Sequence, residues 1–172
     1  MDRDTEVTLT EVYDGIVGAI AAKFPDLHVE AEREDRSRPP IPACLIELAE
    51  LEPAPDNDPG TDQLAVVAVF EAQLIMGFKQ PGKNAKREVR ELAASLAAFA
   101  RLQRWDLPIG PAEGIGAYPD DFAPELDQFE CWRVEWRQIV HLGNSAWNND
   151  GSPPTTVMVA EPGADEYAQL AP

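Results

Sequence analysis

The residues best able to do chemistry in this chain are an acidic cluster (Asp120, Asp121, Glu125 and Asp127), two histidines (His28 and His141) and two cysteines (Cys44 and Cys131). Carboxylates this close together could hold a divalent cation or work as a general acid and base. Their spacing does not match an EF-hand loop, which needs a bidentate glutamate at the twelfth position behind a central glycine. A solvated acidic turn and an acidic interface are the other readings. The histidines fall in no H-x-x-x-H or H-E-x-x-H spacing, so a zinc site would have to be assembled from scattered residues. The stretch GIGAYPD from Gly114 follows a loop and opens no helix, which leaves it without the helix N-terminus that a phosphate cradle uses. No nucleophile elbow, P-loop or dinucleotide fingerprint is present. No catalytic, cofactor-binding or metal-binding residue is assigned, and the chain reads as a non-enzyme that needs no cofactor.

The totals narrow the partners. At 172 residues the chain fits one domain, and its 44% apolar share supports a packed core. A net charge of −17 argues against specific or general nucleic-acid binding, because polyanions repel. It suits high solubility, a basic partner or an acidic lumen. The start MDRDTEVTLTEV lacks the basic region and apolar stretch of a signal peptide. No apolar run approaches the roughly 20 residues of a membrane span. A cytoplasmic setting with reduced, buried thiols on strands is expected, with a disulfide or metal pair as the minority reading.

The elements that would position these groups follow from periodicity. Leu9 to Phe24 reads as a helix, with a Thr8/Glu11 capping box and Leu9, Val12, Tyr13, Ile16 and Ile20 at helical spacing. Gly15 and Gly18 weaken it or admit a close neighbour. A short strand near 27–31 is followed by the stiff, charged loop EREDRSRPP. A strand over 43–51, with a polar edge at Glu47 and Glu50, pairs as a hairpin with a long strand over 63–79. After a Gln-Pro-Gly break, Asn84 caps a second helix running to about Gln103, with Val89, Leu92, Leu96 and Phe99 in its apolar arc. A short strand near 115–118 and an acidic turn lead to QFECWRVEWRQIVHLG, residues 128–143. This stretch alternates strictly, with Phe129, Cys131, Arg133, Glu135, Arg137, Ile139 and His141 on one face and Trp132, Val134, Trp136, Gln138, Val140 and Leu142 on the other. At about 3.3 Å per residue it would span roughly 45 Å, long enough to outrun its own domain and meet something else. The plan is α+β: a single domain over 1–143, whose mixed or antiparallel sheet of long strands is covered by two helices. A partly flexible extended C-terminal arm spans 144–172.

Charge is segregated along this plan. From Lys79 to Arg104 seven basic residues stand against two acids, and after Arg104 two arginines stand against twelve acids. The basic helix face (Lys83, Lys86, Arg87, Arg90) is either solvated or meets the acidic turn (Asp120, Asp121, Glu125) of a neighbouring copy, head to tail. Trp132 and Trp136 share a strand face and read as core or contact residues. Trp147, alone in NSAWNND, could dock on a neighbour or fold back on its own sheet.

The order of elements resembles the tail terminator (tail completion) proteins of tailed bacteriophages. The likeness rests on the long hairpin, the helix after the Gly/Pro break and the final strand WRVEWRQIVHLG (Trp132 to Gly143), and covers roughly Val7 to Gly143. It implies a structural virion protein at the head–tail junction, assembled in the host cytoplasm. Such proteins form a hexameric ring that caps the tail tube, stops its polymerisation and offers a joining surface to the head-completion (stopper) protein, with DNA passing through. The family has no invariant motif to transfer residue by residue. Rival readings are another neck protein (a stopper or head-closure subunit), an acidic monomeric inhibitor or DNA mimic, and a small metal-dependent hydrolase using Asp120, Asp121 and Glu125.

Overall fold

The computed structural model describes residues 6–31, 40–77, 84–120 and 129–146, and the backbone of 158–159 and 168–169. Helix α1 (Leu9–Lys23) starts where the sequence places it. Thr8 Oγ1 accepts from the Glu11 amide at 3.2 Å and Glu11 returns the bond to the Thr8 amide at 2.7 Å, a complete capping box. Strands β1 (His28–Ala31), β2 (Ala43–Pro53) and β3 (Leu64–Gly77) precede helix α2 (Ala85–Ala100), whose N-cap Asn84 accepts from Arg87. Strands β4 (Glu113–Pro119) and β5 (Phe129–Leu142) complete a five-stranded sheet in the order β1-β2-β3-β5-β4. β1 runs parallel to β2 and the other neighbours are antiparallel, so the sheet is mixed and the fold is α+β. Two short strands, β6 (Met158–Val159) and β7 (Ala168–Gln169), pair with each other; the rest of the expected arm, 147–157, 160–167 and 170–172, lies outside the described residues. No helix among the described residues is long and apolar enough to cross a membrane.

The long strand does not outrun its own domain. Every residue from Phe129 to Leu142 has a register partner in β3, which is also 14 residues long. β3 satisfies the backbone groups on one side of β5 along its whole length, and β4 pairs on the other side, which places β5 in the interior of the sheet.

Both helices pack on the same face of the sheet. That face presents Cys44 and Ile46 from β2, Val66, Ala68, Phe70, Ala72 and Leu74 from β3, and Val134, Trp136 and Val140 from β5. Against it α1 buries Val12, Tyr13, Ile16 and Ile20, and α2 buries Val89, Ala93, Leu96 and Ala100. Leu92 and Phe99 are only half-buried, so the packed stripe of α2 is narrower at its centre than the bulky apolar residues suggest. The small Ala93 and Ala100 let the helix backbone approach the sheet. A chain of aromatic contacts runs Tyr13, Phe70, Trp136, Trp105, Phe99, Phe24, each ring centroid 5.8 to 6.2 Å from the next. It links α1, β3, β5, the loop after α2, and α2 itself, and each such pair adds about 0.5–1.5 kcal/mol beyond its buried area.

Helix α2 stops at Ala100 rather than near Gln103 because Leu102, Trp105 and Asp106 all take positive φ. The turn is held from below by one side chain. Gln138 on β5, almost wholly buried, accepts from Trp105 Nε1 at 2.7 Å and Trp136 Nε1 at 3.1 Å, and its amide donates to the carbonyls of Gly110 (2.9 Å) and Gln103 (3.2 Å). Gly15 of α1 lies against this loop, where a Cβ would sit 3.1 Å from the Trp105 carbonyl and from Leu107, whereas Gly18 faces open space. The expected polar edge is present in the second half of β2: β1 pairs with Ala43–Ile46 and stops. The tyrosine hydroxyl of α1 closes the start of that edge, accepting from the Leu48 amide at 2.9 Å. A bulge at Ala49 and the terminal Pro53 blunt the remainder.

Two outcomes test this account. Gln138→Met keeps the length but strands two indole N–H groups and the Gly110 carbonyl, while the Gln103 carbonyl keeps its bond from the Ala112 amide. At about 1–3 kcal/mol per buried orphan it should destabilise the fold by roughly 3 kcal/mol or more in denaturant titration. Tyr13→Phe removes the hydroxyl that accepts from the Leu48 amide but keeps the ring, and should cost about 1 kcal/mol; a loss as large as that of Gln138→Met would contradict the ranking.

Candidate assembly surfaces

Among the described residues, those that could do chemistry do not converge; Asp127 lies outside them. His28 lies at the start of β1, 3.2 Å from Glu30, and His141 lies at the end of β5, its Nε2 2.9 Å from the Asn57 carbonyl. Asp120 follows β4 and accepts a 2.7 Å bond from Gln73 Nε2. Asp121 and Glu125 lie outside the described residues, as do Lys83 and Trp147. Among the described residues no group of three or more His, Cys, Asp or Glu is arranged to hold a metal ion. The cysteines are on opposite faces of the sheet: Cys44 pairs with Leu74 on the helix-covered face and Cys131 with Ile75 on the other. Both thiols are free. Burial pushes Cys44 up to about 12 and Cys131 up to about 11, the latter helped by the charges of Asp120 and Glu130. Thiols held this far above neutral pH are poor nucleophiles.

The basic side of α2 exists, and part of it is already engaged within the chain. Lys86 Nζ lies 3.7 Å from Glu130 at the start of β5, Arg87 pairs with Glu91 at 2.8 Å one turn on, and Arg90 stands 5.7 Å over the Trp132 ring. Lys86, Arg87 and Arg90 all remain exposed, and surface pairs of this kind contribute little to stability. Arg104 is structural: its Nη1 donates to the Ile109 carbonyl at 2.6 Å. Arg101 is exposed, with no ion pair among the described residues.

A second surface combines residues from three strands. On the sheet face opposite the helices, Glu47 of β2, Glu71 of β3 and Glu135 of β5 lie directly across from one another, followed by Gly116 of β4. Adjacent rungs are roughly 4.8 Å apart, so three carboxylates stand in one row. Arg133 Nη1 lies 3.3 Å from Glu71, and Arg137 Nη2 lies 2.9 Å from Glu52. Glu47, Glu50 and Glu135 have no ion-pair partner among the described residues. This face is not bare, since Ala65, Val69 and Ile75 are buried on it, but neither helix covers it. The Tyr118 ring lies across Gly116, where any side chain would collide with it, and Tyr118 is itself 50% exposed.

Burial raises the Glu71 carboxyl above its ordinary value; Arg133 opposes the rise, and Glu135 and Glu47 add to it. The alternation of β5 already put Arg133, Glu135 and Arg137 on one face. What periodicity lacked was the register that sets Glu47 and Glu71 beside them.

No protein-family model matches the sequence, and no curated relative matches it. Among the solved structures that are similar is one that matches over 84% of this chain and 99% of its own, at 16% identity and a TM-score of 0.46. Function therefore rests on the surfaces themselves.

The carboxylate row makes a pH prediction. A carboxyl whose folded pKa lies above its unfolded value penalises the fold once pH exceeds the folded value, and the penalty disappears as pH falls through that value toward 4.5. Glu135→Gln removes a repelling neighbour, so the Glu71 titration followed by carboxyl NMR should move down. The variant should be more stable than the parent at pH 7, with the gain vanishing below about pH 4.5. An unmoved Glu71 midpoint would show that the row is not electrostatically coupled.

Proposed function

We propose that this chain is a ring-forming structural subunit of a phage virion, a tail terminator that caps the tail tube and presents a joining surface to the head-completion protein. The observation that carries this reading is the one-sided sheet. Both helices lie on one face, while the other displays a charged row and, among the described residues, no helix. A wide, pre-formed surface, with no convergent catalytic group among the described residues, suits docking against flat partners. The charge-segregated α2 supplies a second, different surface, and two unlike surfaces on one subunit suit a closed head-to-tail ring. The resemblance in element order adds the expectation of six copies at the head–tail junction, with DNA passing through the centre.

The carboxylate row also favours a second reading, in which the chain is an acidic inhibitor or DNA mimic that acts as a monomer on a basic enzyme. The two differ in what they bind. A terminator added in small molar proportion to polymerising tail tube protein of its own phage should halt tube growth, giving short capped tubes by electron microscopy and light scattering. Tubes that grow to the same length with and without it would contradict the terminator reading.

A further inference from the structure

The ring reading leaves open which surfaces meet, and the charge layout selects a pair. We propose that the exposed side of α2 on one copy docks against the carboxylate-bearing sheet face of the next copy, an inference that rests on the ring reading above. α2 packs over Val134 and Trp136, whereas Glu135 and its row project from the opposite face of the same strand. A contact joining opposite faces of one sheet brings two different patches together. It is therefore head-to-tail and repeats around a closed ring or along a filament.

The charges on the two patches are complementary. The sheet face carries Glu47, Glu50, Glu52, Glu71 and Glu135 against Arg133 and Arg137, and the two arginines are taken up by Glu71 and Glu52. Three carboxylates are left without a counter-charge from described residues. The exposed side of α2 carries Lys86, Arg87, Arg90 and Arg101 against Glu91 and the half-exposed Glu88; Lys86 and Arg87 already lie near Glu130 and Glu91, which leaves Arg90 and Arg101 without a carboxylate partner among the described residues. Residues one helical turn apart, such as Lys86 and Arg90, stand about 5–6 Å apart at their Cβ atoms, close to the roughly 4.8 Å rung spacing of the row. The shape also fits. Between the basic ends of α2 the exposed residues beyond Glu91 are Ala94, Ser95 and Ala98, small enough for close approach to a sheet. Beside the charges each patch offers an exposed apolar group, Leu102 (54% exposed) next to α2 and Tyr118 on β4. Apolar anchors within a charged rim are the usual anatomy of a specific interface.

Reciprocal charge reversal tests the pairing. A sheet-face variant, Glu47→Lys with Glu135→Lys, and a helix variant, Arg87→Glu with Arg101→Glu, alter exposed or half-exposed groups outside the core. Thermal melts verify that each remains folded. Assembly is read by analytical ultracentrifugation, alone and with tail tube protein. Each variant by itself should associate more weakly by on the order of tenfold or more, since like charges then face each other. Mixed in equal amounts, the two should assemble again, because the lysine face of one accepts the glutamate helix of the other in strict alternation. Variants that assemble like the parent, or a mixture that fails to recover, would overturn this contact and leave the ring reading standing. A parent chain that stays monomeric in both conditions would overturn both.

Discussion

The amide of Gln138 is the interaction on which the rest of the arrangement depends. It sits in a dry aromatic core where every polar group needs a partner, and it meets two indole donors and two loop carbonyls at once. Through those bonds β5 fixes the loop after α2, where Leu102 and Trp105 hold positive φ that neither residue favours locally, beside Asp106, which tolerates it. The fixed loop ends α2 at Ala100 and returns the chain along the free edge of β5, where the Gly110 amide donates to the Ile139 carbonyl at 2.7 Å. Trp105 is thereby placed between Trp136 and Phe99, which connects α2 to the sheet through ring contacts.

With α1 and α2 both committed to one face, the alternation of β3 and β5 leaves the other face without a helix, with Glu71, Arg133, Glu135 and Arg137 set among apolar residues such as Ala65, Val69 and Ile75. Cross-strand pairing then determines which of them become neighbours. Three glutamates in adjacent rungs are an unfavourable arrangement for an isolated subunit, because like charges directly opposite each other destabilise a sheet. Arg133 and Arg137 offset this in part. A surface that is electrostatically incomplete within one chain gains from a basic partner, and the chain carries such a surface on α2. The uncovered edge of β2 points the same way: the tyrosine, the bulge and the proline along it discourage strand-to-strand association there.

Much of the fold was legible from local chemistry. The capping box of α1, the Asn84 cap of α2 and the alternation of β5 are written in short-range patterns, and the elements lie within a few residues of where those patterns place them. The strand order was not legible, because nothing local records that β5 inserts between β3 and β4. That pairing explains why a 14-residue strand has no surplus to extend beyond its domain. Gln138 was visible as one polar residue on an apolar strand face, and only the packed core shows it to be a hub. The basic helix was legible as charge. Its engagement with Glu130, Glu91 and Trp132 was not, and the carboxylate row required two registers at once. Lys83, Asp121, Glu125 and Trp147, also read from the sequence as contact residues, fall outside the described residues.

The central claim is that this chain is a subunit of a closed ring. Native mass spectrometry of the full chain, alone and bound at the end of tail tubes, tests it most directly. The account predicts one discrete closed assembly, with six copies the expected number. A monomer in both conditions, or an open-ended series of oligomers with no preferred size, would contradict it.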